Sequence, residues 1–159
     1  MGGPLRAILA KSTRTIEASR GSDAMRLDLT FTEHFKAPVQ NVWLAITDRR
    51  MLALWLMEND FEPRLGARFA LRRADPLLGW RGWVECEVIE LEPPTRMVWS
   101  WSDGAGEELK SRVIFELQEE GPGTRLTVRH IGDTDDAMAK MIRDRWPIKL
   151  RALAFTLGD

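Results

Sequence analysis

Hydrophobic and polar residues alternate from Arg26 onward. In RLDLTFTEHF, Leu27, Leu29, Phe31 and Phe35 share one phase, while Arg26, Asp28, Thr30, Thr32, His34 and Lys36 share the other. A period of two predicts a half-buried strand, because successive side chains point to opposite faces of a sheet. Glu33 falls in the apolar phase and breaks it. The period then lengthens: Val39, Val42, Trp43 and Ile46 recur at helical spacing behind Pro38, whose missing N–H does no harm at a first helical position. Thr47 and Asp48 end that run. Asp48 is placed to cap a second short helix from Arg49, which presents Met51, Leu52 and Trp55 on one side. The stretch TDRR therefore predicts a corner between two short helices, each with its own apolar face.

The middle of the chain reads as antiparallel strands near 66–73, 80–91, 95–101, 109–118 and 123–131, with a shorter one at 58–63. EPPT and EEGPGT punctuate them as turns, since Pro cannot donate to a ladder and Gly accepts unusual backbone angles. The chain ends in a long helical pattern carried by Met138, Ile142, Trp146, Leu150, Leu153 and Leu157. Thr134 is placed to cap it, with Asp135 and Asp136 at the positive end of the helix dipole. Pro147 lies inside the run and predicts either a kink or a second helix start, because it removes a donor and clashes one turn back.

Composition narrows the function classes. With 23 basic and 24 acidic residues the net charge is −1, which gives no electrostatic footprint for nucleic acid. No apolar run approaches the length that spans a bilayer, so no membrane insertion is expected. The lone cysteine, Cys86, has no partner for an internal disulfide, and a reducing cytoplasm is the expected compartment. At 159 residues and 44% hydrophobic, the chain predicts one domain over residues 25–159, preceded by an extension over residues 1–24. In that extension Leu5, Ile8, Leu9 and Ile16 fall near one helical face. It reads either as a loosely ordered terminus or as an accessory helix that covers something or joins two subunits of a homodimer.

Three stretches carry a resemblance. APVQNVWLAITDRRMLALWL supplies Pro38, Val42, Trp43, Thr47, Asp48, Leu52 and Trp55; GWVECEVIELEPPTRMVWSW supplies Gly82, Pro93, Pro94, Met97 and Trp101; GTRLTVRHIG supplies Gly123 to Gly132. Together they resemble the bacterial homologues of the activator of the 90-kDa heat-shock chaperone ATPase. Those homologues are part of the START-like, helix-grip superfamily that also holds polyketide cyclases and plant allergens. The resemblance implies an α+β helix-grip fold: a curved antiparallel sheet of about seven strands around a long C-terminal helix, with two short helices after the first strand. It implies an elongated apolar cavity between sheet and helix, one end closed by the two short helices. It also raises a chaperone as a partner, although nothing here has room for the separate N-terminal domain with which the eukaryotic co-chaperone contacts it.

Candidate chemistry is sparse. No Gly-x-Ser-x-Gly elbow, His-Glu-x-x-His, Cys-x-x-Cys or phosphate-binding Gly-x-x-x-x-Gly-Lys occurs, and no cofactor or metal is expected. His34 shares the polar phase and predicts exposure. His130 continues the apolar phase of Leu126 and Val128, so it either orients a ligand and trades a proton or is a satisfied polar group at a strand end. Glu33 reads as a general acid with a raised pKa or as the partner of a nearby arginine. Within the implied cavity, Trp55, Trp80, Cys86, Met97, Trp99 and Trp101 are candidate wall residues. Phe115, Met138, Met141 and Trp146 join them, with His130 and Glu33 as polar handles, since aromatic and methionine-rich walls suit a small hydrophobic molecule. The leading expectation is non-enzymatic binding of such a molecule. A cyclase or dehydratase would use His130 and Glu33 as acid and base. A protein-interaction role would instead use Arg81, Trp83, Arg49–Arg50 and Arg72–Arg73 on the outside.

Overall fold

Leu27 and Phe35 are buried and Leu29 and Phe31 half-buried, so the alternation at the start becomes strand β1 (Ala24–Phe35), one edge of a curved sheet. The computed structural model describes residues 24–73, 81–104 and 110–159, and the readings of residues 1–23 and of Trp80 lie outside them. After β1 come α1 (Val39–Thr47), α2 (Arg49–Trp55), β2 (Glu58–Asn59), β3 (Arg68–Arg72) and β4 (Trp83–Glu92). They are followed by β5 (Arg96–Ser102), β6 (Ser111–Glu120), β7 (Gly123–Asp135) and α3 (Asp136–Thr156). The seven strands pair antiparallel in the order β1-β7-β6-β5-β4-β3-β2. This is the helix-grip architecture the resemblance implied.

The TDRR corner forms as expected. Asp48 accepts from the backbone N–H groups of Arg50 (2.9 Å) and Met51 (3.1 Å), two donors that the first turn of α2 would otherwise leave unpaired. Trp55 locks the corner from the other side, its indole N–H donating to the Ala45 carbonyl at 2.8 Å. Pro38 stands one position earlier than expected, as the residue before α1, and its carbonyl receives Asn41 and Val42 N–H.

Two expectations about elements are corrected, and one of the two alternatives at Pro147 is excluded. The strand at 58–63 shrinks to β2 because local side-chain bonds displace the ladder: Asn59 accepts from Phe61 N–H (3.0 Å), and Asp60 accepts from Ala70 N–H (2.8 Å). The cap of α3 is Asp135, not Thr134. β7 runs on to Asp135, Thr134 pairs with Met25 and gives its hydroxyl to Asp103, and Asp135 accepts from Met138 N–H at 2.8 Å. At Pro147 no second helix begins, and α3 continues through it. The missing bond costs about 3 kcal/mol, whereas keeping Leu150 and Leu153 buried on the same face contributes about 1.5–3 kcal/mol each.

Candidate functional site

The inner face of the sheet carries a chain of aromatic rings from core to helix. Trp99 lies edge-on to Phe69 (5.0 Å between centroids) and Phe115 (4.8 Å), with Phe61 at 5.6 Å. Phe115 leads on to Trp146 of α3 at 6.2 Å, and Trp146 to Trp101 at 6.5 Å. Beyond these rings the packing opens into a cavity of about 50 Å³ between the N-terminal half of α3, the end of α2 and the β3–β5 strands. Its walls are Val84, Trp101, Met138, Ile142 and Trp146, closed on one side by Leu56 and Met57 just after α2. Met141, Arg73, Arg145 and Lys149 form the rim, all half-buried. At the volume a water takes up in the liquid, the cavity is room for about two waters without any side chain moving.

The structure divides the expected wall residues into two sets. Trp101, Met138, Met141 and Trp146 line the cavity. Trp55, Cys86, Met97, Trp99 and Phe115 do not: all five are buried behind it as core. Met97 pairs with Phe115, and Cys86 with Trp101, across the ladders. Burial, with Glu85 adding to it, holds the Cys86 thiol well above its ordinary pKa, so it is an inert apolar residue.

His130 is fully buried and is not a handle in the cavity. Trp146 Nε1–H points at His130 Nδ1 (3.0 Å), and Ser111 Oγ lies 2.9 Å from Nε2. An indole nitrogen only donates, so Nδ1 must accept, and the neutral ring carries its proton on Nε2, donating to Ser111. Burial pushes the His130 pKa down to about 3. Protonating Nδ1 would also set two donors face to face. Its task is to hold Trp146, a cavity wall, in place. Ser111 reaches it where β6 passes close to Gly132 (φ +133°), at which a Cβ would sit 2.4 Å from Ser111 Cα. Nothing in the period of the sequence pointed to Ser111.

Glu33 is half-buried and forms no ion pair among the described residues, so its expected arginine partner is absent there. It faces Leu126, whereas His130 faces Leu29. Four residues along a strand separate the two by about 13 Å. Acid and base do not converge. His34 is exposed, as its phase predicted, and bonds Glu120 at 2.8 Å. No group of His, Cys, Asp and Glu side chains that could hold a metal ion exists among the described residues. The outward set is dispersed: the Arg81 guanidinium lies over the Trp83 ring at 4.4 Å, Arg49 donates to the Phe61 carbonyl, and Arg73 turns to the cavity rim.

Sequence reasoning named Met141 but missed the charged part of the rim. Arg145 and Lys149 continue the four-residue spacing of Met141 beside the buried row Met138, Ile142 and Trp146. A charged row next to an apolar row on one helix is the signal that was available.

Residues 36–158 match the sequence model of the family described as activator of Hsp90 ATPase homolog 1-like protein. No curated protein matches the chain. Among solved structures, protein MLL2253 of Mesorhizobium loti superposes with a TM-score of 0.74 at 26% identity, covering 82% of this chain and 96% of that one. CalU16 of Micromonospora echinospora gives 0.66 at 26% identity, covering 84% and 85%. BH1534 of Bacillus halodurans gives 0.67 at 26%, covering 83% and 98%. No helix among the described residues is long and apolar enough to cross a membrane.

Proposed function

The chain belongs to the family of activator of Hsp90 ATPase homolog 1-like proteins, and on that premise we propose that it binds a small hydrophobic molecule between the sheet and α3. The observation that carries this reading is the wall itself. Val84, Trp101, Met138, Ile142 and Trp146 meet around open space, while Trp99 and Phe115 behind them are fully buried. Apolar surface buried there contributes about 25 cal/mol per Å², less the cost of ordering both partners. The resting volume is not the upper limit on ligand size. Met138 and Met141 are unbranched and flexible, so a ligand larger than the present opening moves them aside.

Binding without turnover fits the placement of the two titratable candidates. The lone pair of His130 is occupied by Trp146, and Glu33 lies well along another strand. The binding domain in this reading is residues 25–159, acting in a reducing cytoplasm.

Native mass spectrometry of the purified chain, followed by denaturation, tests the reading. The expected spectrum shows an adduct that leaves on denaturation and is missing from Met141→Trp, in which the larger side chain fills the cavity. An adduct held equally by Met141→Trp would locate the ligand elsewhere and overturn it.

A further inference from the structure

Among the described residues, the charged side chains at the rim of the cavity are basic. Arg73 follows β3, and Arg145 and Lys149 stand one turn apart on α3; no Asp or Glu lines the cavity among the described residues. Asp144, the neighbour of Arg145 in sequence, is held chiefly by Lys140 at 2.9 Å and feels Arg143 and Arg145 more weakly. Lys149 is half-buried, and no carboxylate contributes to its titration. Burial first, then Arg73 and Arg145, push its ammonium below the ordinary lysine range. Half-burying the Lys149 cation one turn from Arg145 is unfavourable unless an anion joins the two. The walls below the rim offer the opposite environment, indole, thioether and aliphatic surface.

We infer that the ligand of this cavity is an amphiphilic carboxylate, its apolar chain seated against Trp101, Ile142 and Trp146 and its anionic end held at the rim by Lys149 and Arg145. The inference rests on the binding reading above and names the ligand class of that same site. The carboxylate receives charge-assisted hydrogen bonds, which are stronger than neutral ones and favour the ionised form.

The test uses two probes that differ only in the end group, octanoate and 1-octanol, titrated calorimetrically into the full chain. Octanoate is expected to bind about tenfold more tightly, the size of one charge-assisted hydrogen bond. That preference is expected to shrink at high salt, where rim charges are screened. In Lys149→Met, which keeps most of the unbranched side chain and removes its charge, octanoate is expected to lose most of its advantage while 1-octanol binds as before. Circular dichroism checks that the variant is folded. Arg145→Met provides a second rim variant with the same expected direction. Equal affinities for the two probes in the wild-type chain would overturn the anionic preference and leave the cavity reading standing. No heat from either probe up to its solubility limit would overturn both.

Discussion

At the scale of single residues, His130 shows how phase and partner decide a role together. Its phase was legible: a histidine two positions after Val128 had to point inward. What it does there was not, because its two partners come from β6 and from α3, 19 and 16 residues away in sequence. The consequence is measurable. With a folded pKa of about 3, against about 6.5 in an unfolded chain, the unfolded state takes up the proton first as pH falls. The contribution of neutral His130 is therefore complete above pH about 6.5, declines as pH falls through that window, and is lost below about 3. Between pH about 6.5 and 5 its share of the lost stability is about 2 kcal/mol. Urea unfolding at the two pH values is expected to show that wild type loses about this much more than His130→Gln. Parallel losses in both proteins would mean that the ring is not buried neutral. Glu33 marks the opposite limit, since its break in the apolar phase was readable but its lack of an ion partner among the described residues was not.

The elements were the most legible scale, because they rest on short-range periodicity and caps. The TDRR corner is the best instance. One carboxylate, Asp48, satisfies two backbone donors and starts α2, whose end then carries Leu56 and Met57 to the cavity. Asp48→Ala is expected to destabilise the fold by about 1 kcal/mol, read from the denaturation midpoint, with Asp48→Asn recovering most of it. An unchanged midpoint would show that the corner is held by Trp55 alone. The misreadings at this scale share a cause. At Thr134 and at 58–63 the local rule was sound, but longer-range terms outweighed it: strand pairing extended β7 by four residues beyond the predicted end at 131, and Asp60 accepts from Ala70 N–H where β2 would have run on. Of the two readings at Pro147, the second helix start is excluded, because α3 runs on through the proline.

For the whole molecule, the seven-stranded sheet gripping a C-terminal helix was legible from the order of elements and from three motif stretches in the right sequence. The cavity was legible only in part. Alternation identified Trp99 and Trp101 as inward residues without telling which of them meets packing and which meets space. That difference depends on Phe61, Phe69 and Phe115 closing around Trp99, a fact of three separate strands and loops. The basic rim escaped notice because Arg73 follows β3 while Arg145 and Lys149 stand on α3, far apart in sequence. What remains is whether a ligand goes where the open space is. The indole N–H groups are built-in reporters, two on the cavity wall (Trp101 and Trp146) and two in the core behind it (Trp55 and Trp99). The direct measurement is a nuclear magnetic resonance titration of tryptophan-labelled protein with octanoate and 1-octanol, each indole signal assigned by Trp→Phe substitution. The account predicts saturable shifts for Trp101 and Trp146, with Trp55 and Trp99 nearly still. Shifts confined to exposed Trp83, or none that saturate, would contradict it.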